Sequence, residues 1–160
     1  MPGERRALPW AMAKWIETFK GAVLTSEYDP EAHMNTQIYV SRFDQASWFL
    51  LAAIDVTPRS IKKQKRRIAV VRQSFQFLRE LKGGELVTIE SGFIAVGEKY
   101  LRFVHRMFDR ETGKMVATSD CTAVEASLQT QKSVPLSAPI RNAAKKLLVT
   151  WNDAERKKRR

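Results

Sequence analysis

The chain has 160 residues, 44% of them hydrophobic and 9% aromatic, and carries a formal net charge of +11. That is enough apolar material for the core of one globular domain, and it excludes a disordered or low-complexity chain. A single cysteine excludes an internal disulfide, and with only two histidines beside it the sequence offers no zinc cluster of the usual spacing.

From the N-terminus, Leu8-Pro9-Trp10-Ala11-Met12-Ala13 is cut short by Lys14, so no signal peptide is expected, and no apolar run is long enough to span a bilayer. With the lone thiol, this predicts a cytoplasmic protein. Pro9 to Phe19 reads as a short helix or an irregular arm, and Gly21 to Glu27 as a first strand. From Asn35 the period becomes helical, with Tyr39, Phe43, Ala46, Leu50 and Ala53 on one stripe. Trp48, Phe49, Leu51, Ala52 and Ile54 make the last turns apolar nearly all round, which predicts an enclosed helix, and Pro58 is read as its end.

The second half reads as strands: Ala69 to Leu81, for which a helix is the alternative, Leu86 to Val96, Lys99 to Asp109 and Met115 to Ala126. Gly83-Gly84, Gly97-Glu98 and Glu111-Thr112-Gly113-Lys114 supply short turns, and short turns imply an antiparallel meander. In the third strand Leu101, Phe103, His105 and Met107 share an apolar face, so His105 is expected in the core; Cys121 is expected there as well. The fold class is therefore α+β, a twisted antiparallel sheet around one long helix.

The charge is concentrated. Arg59 to Arg72 holds Lys62, Lys63, Lys65, Arg66 and Arg67 with no acid, and the chain ends in Arg156-Lys157-Lys158-Arg159-Arg160. Two local clusters are weak evidence for nucleic acid, and no recognition helix, stacking motif or zinc module accompanies them, so no specific nucleic-acid partner is expected. The tail reads as a solvated end.

Tyr28 to Tyr39 concentrates the chemistry. Asp29 and His33 stand a few residues before Asn35, a good helix cap, and the first amides of a helix have no intrahelical acceptor. A carboxylate beside such amides suits attack on a carbonyl whose oxygen gains charge. An aspartate before a proline also has an ordinary reading, as a turn or cap residue.

Asp29-Pro30-Glu31-Ala32-His33-Met34-Asn35 followed by Tyr39 resembles the active-site segment of the hot-dog-fold acyl-CoA thioesterases, the 4-hydroxybenzoyl-CoA thioesterase-like group. Phe77 to Glu85, Phe103-Val104-His105, Asp109 to Gly113 and Met115 to Ser119 are similar to later pieces of that family, in the same order, over roughly Gly21 to Pro135. Many relatives have glycine where Ala32 stands, and alanine is tolerated there if its φ is negative. The resemblance divides the chain into an arm at 1–20, a hot-dog domain at 21–136 and an extension with the basic tail at 137–160.

The resemblance implies hydrolysis of an acyl-CoA without cofactor or metal. Asp29 would be nucleophile or general base, with oxyanion donors in the backbone around Asn35 and Thr36. His33 is either a substrate contact or acid near the thiolate, or a turn histidine bonded to backbone. Asn35, Thr36 and Tyr39 would border the substrate; Lys99, with Arg102 and Lys132 behind it, would meet the CoA phosphates, and Arg66 and Arg67 are weaker candidates. The family also implies a homodimer or homotetramer with the active site between subunits. Two further readings of the same fold are a hydratase or dehydratase, and a non-catalytic acyl-CoA binding module. No Gly-x-Ser-x-Gly elbow is present to suggest an α/β-hydrolase.

Overall fold

The computed structural model describes residues 15–152, so the basic tail and the part of the expected arm before Trp15 lie outside the described residues. Strand β1 (Ile16–Ala22) leads through a single 3-10 turn at Thr25–Glu27 to helix α1 (Thr36–Ala52) and the short α2 (Pro58–Gln64). Then come β2 (Arg66–Phe77), β3 (Leu86–Val96), β4 (Leu101–Asp109), β5 (Met115–Ser127), a two-residue β6 (Ser133–Val134) and helix α3 (Ala138–Lys146). The strands lie in the order β1-β3-β4-β5-β2, with β6 also on β5, and each pair is antiparallel. This sheet packed on α1 is the hot-dog architecture.

The first strand is earlier than the sequence suggests: it occupies Ile16–Ala22, and Thr25–Glu27 is a turn. Glu17 and Lys20, three apart and 3.2 Å from each other, mimic a helical ion pair, yet Thr18 points inward at 3% exposure as a strand residue should. The expected boundary at 20/21 therefore falls inside β1.

Helix α1 begins as expected, with Asn35 accepting from the Gln37 amide at 3.0 Å. Its end is different. The Val56 amide donates to Leu51 O and the Asp55 amide to Ala52 O, both at 3.0 Å, with Asp55 at φ 62°. That is a Schellman closure, and it ends the helix before Pro58, which instead opens α2 behind the Thr57 cap. Nor is α1 enclosed all round. Tyr39, Phe43, Ala46, Leu50 and Leu51 are buried, but Ala53 is exposed, and Trp48 and Phe49 stand 47% and 64% exposed.

The core is layered between α1 and the sheet. Phe43, Ile89 and Met107 pack toward the N-terminal end of α1, and Leu50, Phe93, Leu101 and Phe103 toward its C-terminal end. His105 sits between the two groups, fully buried and bonded at both nitrogens, to Ser47 Oγ at 2.8 Å and Ser91 Oγ at 2.5 Å. Burial lowers its pKa to about 3, so it is a neutral core histidine. Cys121 is buried too, its thiol pushed up to about 11 by desolvation, which removes it as a nucleophile.

The expected extension from residue 137 is built into the domain as far as Trp151. Ala144 of α3 is in the core, and the Val149 amide donates to Phe93 O at 2.8 Å. Gly92 makes that approach possible, since a Cβ there would lie 2.3 Å from Val149 Cγ2. Trp151 meets Trp15 edge-on at 5.8 Å. No helix among the described residues is long and apolar enough to cross a membrane.

Candidate active site

The segment before α1 is a tight, self-bonded loop. The Asp29 amide donates to His33 O at 2.8 Å, the Ala32 amide to Asp29 O at 3.0 Å, and Tyr28 pairs with Met34. Asp29 Oδ1 accepts from the Glu31 and His33 amides at 2.9 and 3.0 Å, so part of its carboxylate performs the ordinary turn role. Among the described residues the hydrogen bonds to that carboxylate are on Oδ1, and none is on Oδ2. Ala32 lies at φ 63°, not at the negative φ that would make alanine easy there. Glycine adopts this left-handed conformation freely, and Ala32 holds it at a steric cost.

The loop is anchored on both sides. Met34 donates to Leu81 O at 2.7 Å and His33 pairs with Lys82, which ties the loop to the segment between β2 and β3. Gly83 lets Tyr28 lie flat on that segment: a Cβ there would fall 1.4 Å from the Tyr28 hydroxyl oxygen. Tyr39 is buried, accepting from the Leu81 amide at 3.0 Å and donating to Arg79 O at 3.4 Å, and burial raises its pKa. Its hydroxyl supports the loop rather than facing a substrate.

The amides at the helix start are partly used. The Asn35 amide donates to Glu27 O at 2.8 Å, which corrects the expectation that it serves an oxyanion. Gln37 is taken by the Asn35 side chain, and Ile38 donates to Asn35 O at 2.9 Å. The exposed Thr36 amide occupies the first helical position, where no intrahelical acceptor exists.

His33 is partly buried, with Nδ1 3.3 Å from Glu80 Oε2 and 3.9 Å from Glu31 Oε2. Asp29, Glu31 and His33 each offer a ligand atom within 4.8 Å of the others, the one group among the described residues whose geometry suits a cation. Glu27, which flanks Asp29 in sequence, cannot substitute for it. It is buried, accepts from the Leu24 amide at 2.8 Å, and forms an ion pair with Arg42.

The family model of the thioesterase-like superfamily matches residues 23–144. The chain belongs to that superfamily. A betainyl-CoA thioesterase of Pseudomonas aeruginosa is 22% identical over 129 residues, 81% of each chain. Among solved structures, a Staphylococcus aureus protein in complex with CoA superposes with a TM-score of 0.80 at 14% identity, covering 89% of this chain and 92% of that one. A 1,4-dihydroxy-2-naphthoyl-CoA thioesterase from Synechocystis gives 0.71 at 14% identity, over 82% and 96%. Membership in the thioesterase-like superfamily and these shared folds agree with the hot-dog reading of the sequence.

The residues expected at CoA are not near Asp29 within one chain of this thioesterase-like protein. The Asp29 loop joins the sheet where Ala22 pairs with Leu86 and Val87 with Asp109. Lys99 lies in the turn at the opposite end, between β3 and β4, and Lys132 lies beside Ser127, where β2 begins. β4 alone is about 30 Å long at 3.4 Å per residue. Arg102, near that far end, is held by Asp120 at 3.0 and 2.5 Å. Sequence reasoning overlooked Glu80 beside His33 and Arg42 on Glu27; both are pairs made only by tertiary folding, and no local motif announces them.

Proposed function

We propose that the protein is an acyl-CoA thioesterase acting through Asp29. The observation that carries this is the loop itself, which holds Asp29 by Oδ1 seven residues before Thr36, the first residue of the long helix α1. Either Oδ2 attacks the thioester carbonyl directly, or it takes a proton from the water that does. In both cases the carbonyl oxygen gains negative charge against the Thr36 amide, and the tetrahedral centre collapses by breaking the C–S bond. The thiolate leaves with its electron pair and is protonated to CoA thiol; where water attacks, the acyl group is released as the free acid, and where Oδ2 attacks, the acyl group stays on Asp29 as a mixed anhydride that a water molecule then hydrolyses to the free acid and the carboxylate. His33 is placed to contact the substrate or to supply that proton. The betainyl-CoA and naphthoyl-CoA enzymes it resembles act on the same bond with different acyl groups, so the acyl group is left to a panel of short, long and aromatic acyl-CoAs.

The working unit is a homodimer, with a tetramer as the next assembly. β2 is an edge strand with Val70, Val71 and Phe77 exposed at 43%, 61% and 49%, and Trp48 and Phe49 of α1 are exposed as well. A long apolar edge is a pairing surface. Antiparallel pairing of β2 with its copy brings the Lys99 and Lys132 end of one chain toward the Asp29 end of the other, which is how these cations and Arg102 would reach CoA. No cofactor or metal is required, since a thioester has a good leaving group, and the site belongs in the cytoplasm with its substrates.

Purified protein should release free thiol from an acyl-CoA, and EDTA should not slow it. A change in enoyl absorbance without thiol release would assign the fold to hydration instead, and tight binding without turnover across the panel would make it a binding module. Light scattering should show at least a dimer, and Val71→Lys should shift it toward monomer with loss of activity.

A further inference from the structure

Two residues before Asp29 stands a second carboxylate, Glu27, and in the second turn of α1 stands Arg42; their side chains are 9% and 17% exposed. Arg42 Nη2 donates to Glu27 Oε2, and Glu27 Oε1 accepts from the Leu24 amide at 2.8 Å. The backbone of Glu27 is committed as well. Its amide donates to Leu24 O at 2.9 Å, and its carbonyl accepts from the Asn35 amide at 2.8 Å. Glu27 thereby holds the start of the Asp29 loop to its end at Asn35, and Arg42 fastens both to the body of α1.

The arginine is held by the sheet too. Its guanidinium carbon lies 5.0 Å from the centre of the Phe19 ring of β1, a cation–π distance. Gly21 leaves room for that ring, since a Cβ there would come within 2.9 Å of Phe19 Cζ. β1, the turn at Thr25–Glu27 and α1 therefore converge on one guanidinium. A buried ion pair is a poor way to gain stability, because apolar residues of similar volume often do as well. What this pair adds is direction. A planar fork on a rigid helix fixes where residue 27 sits, and Asp29 follows two residues later.

We propose that Arg42 is a positioning residue for the thioester hydrolysis: through Glu27 it fixes the Asp29 loop against the N-terminus of α1. It acts through Glu27 rather than on the substrate. The inference rests on the thioesterase reading, since the step it serves is attack by, or through, the Asp29 carboxylate. Loosening the clamp lowers the share of molecules with that carboxylate in register with the thioester carbonyl. A misplacement of about 1 Å can cost on the order of 10² in rate. The chemical step slows, and CoA binding is left alone.

The test compares Arg42→Met, Arg42→Lys and the double variant Glu27→Gln/Arg42→Met with the full-length parent, by steady-state thiol release and by backbone hydrogen exchange. Arg42→Met should lower kcat at least tenfold with KM within about twofold of the parent. Arg42→Lys, which keeps the charge, should return kcat to within about threefold of the parent. The double variant leaves no unpaired buried charge, so it keeps the test decisive if Arg42→Met fails to fold, and its kcat should be as low. Peptides covering residues 24–36 should exchange at least tenfold faster in both, with those from β3 and β4 unchanged. Far-UV circular dichroism at the assay temperature checks that each variant is folded. The proposal is overturned if folded Arg42→Met or the folded double variant keeps kcat within twofold of the parent, or if exchange over 24–36 does not change. A rise in KM in place of a fall in kcat overturns it too, by making Arg42 a substrate contact. A parent that releases no thiol, with exchange over 24–36 still faster in the variants, would sink the thioesterase reading and keep the clamp.

Discussion

The two ends of α1 are finished in opposite ways. At the N-terminal end a polar loop satisfies the amides of Asn35, Gln37 and Ile38, and Thr36, exposed, opens the helix seven residues after Asp29. At the C-terminal end a Schellman closure turns the last carbonyls inward, Val56 is buried behind it, and α2 and α3 wall a cavity. Both ends bring polar groups together, the first around Asp29 and the second around Glu125. The proposed thioester chemistry falls at the first of these ends.

The most direct way to break this comparison is Asp29→Asn. Asparagine keeps an Oδ1 acceptor for the Glu31 and His33 amides, so the loop should survive, while the carboxylate of the proposed mechanism is gone. Thiol release should fall by about 10²–10⁴-fold with far-UV circular dichroism unchanged. Full activity in this variant would remove the N-terminal end from the chemistry. Asp29→Ala is a poorer probe, because it also releases the loop.

The middle of the helix belongs to neither end and should report through acid stability. His105 is neutral in the fold, with its pKa lowered to about 3 by burial, against 6.5 in the unfolded chain. Between those values the unfolded state binds the extra proton, so stability is full above pH 6.5 and is lost as pH falls toward 3. The slope is at most about 1.4 kcal/mol per pH unit. Denaturant unfolding from pH 7 to 4 should show this decline, and His105→Gln should flatten it. An unchanged slope would mean that another group drives the acid transition.

Gly83 ties the N-terminal end to the sheet. Gly83→Ala would press a Cβ into the Tyr28 ring and push it off the segment that anchors the Asp29 loop. Stability should fall by about 1–3 kcal/mol, read from denaturant midpoints, and activity should fall with it. The equivalent change at Gly84, where a Cβ meets nothing within 4 Å but φ is +80°, separates backbone strain from this steric contact.

Much of this was legible in the residues, for local reasons. Asn35 is the cap because a short acceptor before an apolar period has little else to do. His105 and Cys121 read as core because they lie in alternating strands opposite polar neighbours. What could not be read depends on distant chain or on a sign of φ. Glu17 and Lys20 disguised β1, Asp55 stands where a glycine would have announced the Schellman turn, and the Glu125–Arg66 pair joins residues 59 positions apart. The orientation of Ala32 was likewise invisible, since a sequence shows the residue and not its dihedral angle.

Ala32 and Asp55 give the finest comparison of the two ends. Both are non-glycine residues in the left-handed region, at φ 63° and 62°, one in the Asp29 loop and one closing the helix. Alanine there suffers the Cβ clash of about 1–2 kcal/mol with nothing to offset it, while aspartate offsets part of it through its short polar side chain. Glycine would relieve the clash at either site but adds about 0.5–1 kcal/mol of backbone entropy to the unfolded chain. Ala32→Gly should therefore stabilise the protein by about 0.5–1 kcal/mol, and Asp55→Gly should be close to neutral. Thermal midpoints of the two variants beside the parent would show it. If Ala32→Gly gains nothing, the loop is not strained at Ala32, and alanine in place of glycine carries no energetic meaning at the site.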